Sequence, residues 1–310
     1  MKLDPLLVPF VSSRSFAPSA SVEEERANEL TLHRSAIGHV ITPRPESVSV
    51  RDVVIGGPDP QKPVTVRIYT PSGGTKQRAG LVFAHGGGWV TGCIETADPH
   101  CGNMAASADV VVVSVEYRLA PEDPFPAGVE DYYYAVQWVF GHSEELGIDS
   151  SRIAVGGGSA GGNLAAVACL MAKDRKGPKI ALQLLEAPAL DLTLSGQSFL
   201  DCEKHFPSIA ALGRTLAPRY LINGEPREHP YVSPLLASDL SGLPPAVLLA
   251  AEVDPIRDDC ERYANRLVEA GGMASWRVFP GLLHGTDSLT AVLPMAREWQ
   301  AECVRVLASL

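Results

Sequence analysis

The chain has no pair of cysteines placed to clamp a metal or to cycle between thiol and disulfide. Its six, Cys93, Cys101, Cys169, Cys202, Cys260 and Cys303, are scattered without any C-x-x-C spacing, and zinc and redox motifs depend on such spacing. Several lie in apolar helical stretches, where a free thiol serves as a small core residue. No apolar run approaches the roughly 18 residues that a membrane span requires. Nor is there a basic patch. With 26 Lys and Arg against 36 Asp and Glu, the net charge is −10, which a phosphate backbone or an anionic membrane would repel. Nucleic acid and membrane are therefore not expected as partners. Internal repeats and low-complexity tracts are absent. The stretch Met1–Phe10 is interrupted by Pro9 and has no strong basic region, so a secretory signal is not expected and a reduced cytoplasm fits best.

What remains is a globular composition: 310 residues, 45% apolar and 20% charged, ample for a buried core. Ser21 and Glu24 have capping-box spacing ahead of a polar helical stretch that runs to about His39. Residues Glu46 to Ile55 and Val64 to Tyr69 alternate as an antiparallel strand pair. Short unbroken apolar runs follow: Leu81–Ala84, Val110–Val115, Ile153–Val155, Ile180–Leu185, Val247–Ala251 and Trp276–Phe279. Strands covered by helices on both faces have this character. Helical patterns fall between them at 97–108, 127–146, 160–173, 257–271 and 289–308. The alternation predicts an α/β protein with a mostly parallel, doubly wound sheet. From Leu190 to Tyr231 the rhythm breaks, with one helix-like stretch at Ser208–Leu221. Such a length is too great for a plain connection and predicts an insertion lying over the sheet.

The strongest local signal is Arg152-Ile-Ala-Val-Gly-Gly-Gly-Ser159-Ala-Gly-Gly-Asn163, a strand, a glycine turn and a helix. Within it, Gly157-x-Ser159-x-Gly161 has the pattern of a nucleophile elbow, where glycines let a serine sit on a sharp strand-to-helix turn. The helix start would then offer backbone N–H groups to an oxyanion. Gly156-x-Gly158-x-x-Gly161 fits a dinucleotide-binding loop equally well, with Glu186 ending the next strand as the acidic partner. A plain tight turn is the third reading. The segment alone leaves all three open.

His85-Gly86-Gly87-Gly88-Trp89 directly follows a strand. Three successive glycines let N–H groups point into a cavity, as the second half of an oxyanion hole requires. A dinucleotide site has no use for them. A serine nucleophile also needs a base and a carboxylate, in the chain order Ser, Asp or Glu, His. His205 and His229 lie in the insertion, whereas His284 follows the last predicted strand. Asp254 follows its strand closely, where ligands collect in open α/β sheets. It is preferred over Asp258 and Asp259 on the next helix, although Asp before Pro255 also suits a helix cap.

With these pieces in place, the sequence resembles the hormone-sensitive-lipase-like, bacterial family IV branch of the α/β-hydrolases over about residues 40–308. The resemblance rests on His85-Gly-Gly-Gly88, Tyr117-Arg-Leu-Ala-Pro-Glu122 with Pro124-Phe-Pro-Ala127, Gly158-Ser159-Ala-Gly-Gly162-Asn163, Tyr231-Val-Ser-Pro234, Asp254-Pro-Ile-Arg-Asp258 and His284-Gly285. It implies an eight-stranded α/β-hydrolase sheet with a helical cap. It also implies a triad of Ser159, His284 and Asp254, and oxyanion donors from the N–H groups of Gly86, Gly87 and Ala160. The segment Tyr117–Ala127 is expected to be structural. One departure stands out: the family usually carries an acidic residue just before the serine, and this chain has Gly158. The triad does not require that carboxylate, so substrate preference rather than activity is affected.

The expected organisation is cap helices in 1–45, a first catalytic part in 46–189, an inserted cap segment in 190–231 and a second catalytic part in 232–310. The expected activity is hydrolysis of short- to medium-chain acyl esters, a small-molecule substrate class, with no cofactor and no metal. Lactone, amide or carbamate hydrolysis would use the same machinery, and a non-catalytic ligand-binding role is the alternative from another class. Phe10, Phe16, Phe199, Phe206, Tyr220 and Trp89 are candidate pocket aromatics, with Trp89 and Phe206 assigned to substrate binding. The resemblance also leans towards a homodimer joined at the sheet edge.

Overall fold

The computed structural model describes residues 2–8, 21–73 and 77–310. Phe10 and Phe16, two of the expected pocket aromatics, lie outside the described residues. Helix α1, Val22–Ala36, starts where its capping pattern puts it, with Ser21 accepting the Glu24 N–H at 3.2 Å. It stops short of His39. An antiparallel pair follows, β1 (Val48–Val54) and β2 (Thr65–Pro71).

The remaining elements alternate as β3 (Arg78–Ala84), α2 (Ile94–Ala108), β4 (Val111–Glu116), α3 (Ala127–Gly141), β5 (Ile148–Gly158), α4 (Ala160–Asp174) and β6 (Leu182–Glu186). The cap insertion contributes α5 (Gln197–His205) and α6 (Pro207–Tyr220). The chain closes with β7 (Ala246–Val253), α7 (Arg257–Glu269), β8 (Ala274–Leu283) and α8 (Pro294–Ala308).

The eight strands form one sheet in the order β1-β2-β4-β3-β5-β6-β7-β8. It is parallel from β4 through β8, with β1 and β2 antiparallel at one end. This is the α/β-hydrolase architecture that the sequence predicts. Side chains alternate across β3: Val82 and Ala84 enter the core beneath α3, α4 and α7, while Leu81 and Phe83 enter the core beneath α2 and α8. Burial on both faces explains why the central strands read as unbroken apolar runs.

Helices α3 and α8 are shorter than expected, ending at Gly141 and beginning at Pro294, and two further differences have physical reasons. Strand β5 begins at Ile148, five positions before its apolar run, because Ser150 and Ser151 face solvent and hide its first half. Helix α5 is only nine residues long, polar overall, and buries just Ser198, Phe199 and Cys202, too short an apolar stripe to stand out.

The segment after β4 is held by a buried carboxylate. Asp131, fully buried on α3, accepts the Arg118 N–H at 3.0 Å and the Arg118 guanidinium at 2.8 and 2.7 Å. Removing one partner of such a pair strands the other, at a cost of about 3–5 kcal/mol when both are dry. Arg118 retains some solvent contact. Asp131→Ala is therefore expected to destabilise the fold by about 3 kcal/mol, the lower end of that range, and urea unfolding measures it.

Candidate active site

All three residues of the expected triad stand at the C-terminal edge of the sheet. Ser159 ends β5, Asp254 follows β7 and His284 follows β8. Ser159 has φ 55° and ψ −115°, a left-handed conformation that costs a non-glycine residue about 1–3 kcal/mol. The crowding around it shows why the neighbouring positions are glycine. A Cβ added to Gly161 would lie 2.0 Å from the Ala84 carbonyl oxygen and 2.5 Å from that of His85. The first turn of α4 is thus pressed directly on the end of β3.

His284 Nε2 lies 2.9 Å from Ser159 Oγ, and Nδ1 lies 2.7 Å from Asp254 Oδ2. The carboxylate can only accept, so Nδ1 carries the proton and Nε2 is free to take one from the serine. Asp254 is fully buried, and its Oδ1 accepts the Ile256 N–H at 2.9 Å. Burial disfavours protonation of His284, but the Asp254 carboxylate outweighs it, and the imidazole sits above its ordinary value of 6.5. Asp258 and Asp259 lie elsewhere. Asp259 accepts the N–H groups of Leu190 and Asp191, and Asp258 accepts that of Ser198. Both fasten the inserted cap. His205 is exposed at the end of α5, and His229 packs edge-on to Phe125 and Tyr231. The structure does not bring either to the serine.

The glycine loop after β3 faces the same point. Gly86 lies against Ser159: a Cβ there would sit 3.6 Å from the serine Cβ. Gly87, at φ +117°, has its missing Cβ position 2.2 Å from the Thr91 carbonyl oxygen, a turn no other residue can make. Ala160 opens α4 immediately after the serine, so Gly86 of the glycine loop and Ala160 of the helix start both lie next to Ser159. His85 anchors the loop rather than reacting. It is buried and stacked on Tyr117, its Nδ1 donates to the Gly86 carbonyl at 2.7 Å, and Tyr117 Oη donates to the His85 carbonyl at 2.8 Å. Burial pushes its imidazole down to about 4, so it is neutral over the working range. Tyr117 thus supports the oxyanion loop.

The inserted helices contact this edge. Trp89, 5% exposed, stacks on Tyr220 of α6 with centroids 4.5 Å apart and planes 7° from parallel. Trp89, expected at the substrate pocket, makes this stack between the glycine loop and α6. Phe199 lies in the small apolar cluster within the cap. Phe206, half-buried at the α5–α6 junction, packs against the core that contains Ala187, Ile209 and Leu283. From α1, Arg26 donates to the Val90 and Ala120 carbonyls and pairs with Glu122, while Glu25 pairs with Arg219 of α6.

Glu186 is not presented to a ribose, as a dinucleotide loop would require. It is 3% exposed, with Oε1 2.9 Å from His100 Nε2 and Oε2 2.6 Å from Trp299 Nε1. The donor atoms of His100, Glu186 and Cys303 lie within 4.8 Å of one another, the spacing of a metal-ligand set. Both carboxylate oxygens are already taken by N–H donors, however, and burial pushes the Cys303 thiol well up, keeping it protonated. The group fits a hydrogen-bonded ion pair better than a metal centre.

A family described by the α/β-hydrolase fold matches residues 81–288. The chain belongs to the α/β-hydrolase family. Carboxylic ester hydrolase LipN of Mycobacterium tuberculosis is 39% identical over 298 residues, covering 91% of this chain and 76% of that protein. The arylesterase of Saccharolobus solfataricus is 40% identical over 222 residues, 71% of each chain. Among solved structures, the hyperthermophilic esterase of Pyrobaculum calidifontis superposes with a TM-score of 0.90 at 36% identity, covering 100% of this chain and 99% of that one. A bacterial heroin esterase does so with a TM-score of 0.88 at 34% identity, covering 99% and 98%. These relatives place this α/β-hydrolase in the hormone-sensitive-lipase-like branch. Among the described residues, no helix is long and apolar enough to cross a membrane.

The residues that sequence reasoning assigned no chemistry, Tyr117 and Arg118, hold the loop and the segment beneath it. Their only sequence signal was membership of the Tyr117–Glu122 motif. In NMR titration, His284 is expected to protonate above 6.5 because burial, the largest single influence, is outweighed by the charge and hydrogen bond of Asp254 together with Asp287. Asp254→Asn is expected to drop that midpoint below 6.5, since burial is then opposed by Asp287 alone. An unchanged midpoint would show that Asp254 does not set the imidazole's charge.

Proposed function

We propose that this chain hydrolyses carboxylic esters through an acyl-enzyme on Ser159. The supporting observation is the continuous hydrogen-bonded line from Asp254 through His284 to Ser159, at 2.7 and 2.9 Å. Ester hydrolysis is the chemistry named for its relatives, LipN and the arylesterase among them. Ser159 Oγ attacks the ester carbonyl as its proton passes to His284 Nε2, and Asp254 stabilises the imidazolium. The tetrahedral oxyanion is held by the N–H groups of Gly86, Gly87 and Ala160, each such donor being worth about 10²- to 10³-fold in rate. His284 then protonates the leaving alcohol. In the second half it takes a proton from water, whose oxygen attacks the acyl carbon, and it returns that proton to Ser159 as the acid departs.

Residues 1–45 and 190–231 are read as the cap, with 46–189 and 232–310 as the two parts of the catalytic domain. The ties that Asp258, Asp259, Trp89 and Glu25 make to the cap support a closed, finite pocket. With Phe206 at its wall, such a pocket suits short to medium acyl chains. The sheet ends on β8, which exposes Trp276, and pairing of two copies along this edge is the reading for a homodimer.

A series of p-nitrophenyl esters of increasing acyl length tests the activity. The wild type is expected to peak between acetate and octanoate, and Ser159→Ala to lose on the order of 10⁴-fold or more in kcat while staying folded. Equal activity in both proteins would place the nucleophile elsewhere. A maximum at sixteen-carbon chains would contradict the finite pocket. Turnover of lactones, amides or carbamates but not of simple esters would move the substrate class without moving the triad.

A further inference from the structure

One group of titratable side chains near the site takes no part in the chemistry above. Glu186 ends β6, and its carboxylate lies in the dry layer between the sheet and helices α2 and α8. His100 of α2 and Trp299 of α8 donate to its two oxygens, and the Cys303 thiol of α8 donates as well. Burial works against both charges of the pair. Each partner more than offsets it for the other, so Glu186 titrates below and His100 above its ordinary value. The charged form of the pair is favoured. His100 is also the one member that reaches a small cavity, lined by His33, Thr96, Asn103 and Thr290 among others.

The backbone of the same residue touches the nucleophile. The Ser159 N–H donates to the Glu186 carbonyl at 2.8 Å, and Gly158 faces Glu186 in register across β5 and β6. Ala187, the next residue, is itself left-handed at φ 42° and donates to the Leu249 carbonyl on β7 at 2.7 Å. The strained serine is therefore braced against a strand end whose own position is fixed by a three-donor grip on one carboxylate. Gly158, just before the serine, carries no side chain to help.

We propose that Glu186 and His100 form a positioning pair for the nucleophile: by fixing the end of β6 they fix the carbonyl that holds the Ser159 N–H, and with it the line from Ser159 Oγ to His284. Neither side chain touches substrate. The inference rests on Ser159 being the nucleophile. Its pH dependence follows from the groups around His100. These are Glu186 on β6, Asp287 in the loop after β8, Cys101 on α2 itself, Cys303 on α8, and His33 across the cavity. Asp287 also faces His284. The pair holds both charges between the lowered titration of Glu186 and the raised titration of His100, and His100 loses its charge as pH rises through the latter.

Two variants of the full chain test this, assayed with a p-nitrophenyl ester and with a p-nitrophenyl phosphonate that titrates Ser159 covalently. Glu186→Gln keeps the size and can still accept from Trp299, but has no charge to hold His100 protonated. It is expected to stay folded with a lowered thermal midpoint, since a buried pair is broken, and to keep its KM within about twofold, while kcat and the phosphonylation rate fall about tenfold or more from misplacement of the serine. Its alkaline limb of kcat is expected about one pH unit or more below that of the wild type, because burial of His100 is then opposed by Asp287 alone. The double variant His100→Leu with Glu186→Leu replaces the pair by apolar side chains, a change that buried pairs often tolerate in stability. It is expected to fold, to stay slow, and to lose that alkaline limb.

Wild-type kcat and an unmoved pH profile in either folded variant would overturn the proposal. So would a loss of activity that merely follows the fraction of titratable active sites. If neither variant folds, the wild type decides: its alkaline limb must coincide with the NMR titration of His100, and a limb elsewhere overturns the pairing role. Activity surviving in Ser159→Ala would instead indict the choice of nucleophile, a distinct failure.

Discussion

The close passage of α4 over the end of β3 is the constraint on which the site depends. Gly161 lies so near the Ala84 and His85 carbonyls that no side chain fits between them. That approach brings the serine turn and the glycine loop face to face. It does so at the expense of backbone ease, since Ser159 is held in a left-handed conformation. The strain persists because the surrounding sheet is dry, parallel and packed on both faces. A looser sheet would let the turn relax, and the serine would no longer meet its histidine.

From that crossing outward, the molecule is organised as a series of braces. Asp254 orients His284 from the end of β7, and the Ile256 N–H holds its second oxygen. Tyr117 supports the carbonyl of His85, while Asp131 fixes Arg118 just beyond. Most of these braces are buried hydrogen bonds to charged groups, which are stronger than neutral ones and costly to leave half made. The reacting atoms are few, and the residues that hold them come from nearly every strand end at one edge of the sheet.

Much of this was legible in the sequence because it depends on local pattern. The apolar runs gave the buried strands, and Ser21 with Glu24 gave the start of α1. The glycines around Ser159 and after His85 marked the two turns where only glycine fits. Chain order then singled out Asp254 and His284, which the structure brings into hydrogen-bonding distance. What stayed hidden depends on contacts between distant segments. Trp89 looks like a pocket residue until Tyr220, more than a hundred positions later, is seen stacked upon it. Glu186 looks like the acid of a nucleotide site until His100 and Trp299 arrive from two helices. Helix α5 was missed because its burial comes from the cap's own small cluster.

The Trp89–Tyr220 stack makes the cap and the oxyanion loop a single mechanical body. Trp89 follows the three glycines directly, and Tyr220 ends the second cap helix. A lineage that remodels the α5–α6 helix pair would therefore disturb the glycine loop beside Ser159 as well. Specificity and rate are not independent modules in this protein. Change is easiest on the outer face of α5, where Leu200 is already exposed, and hardest at the root where the two rings meet.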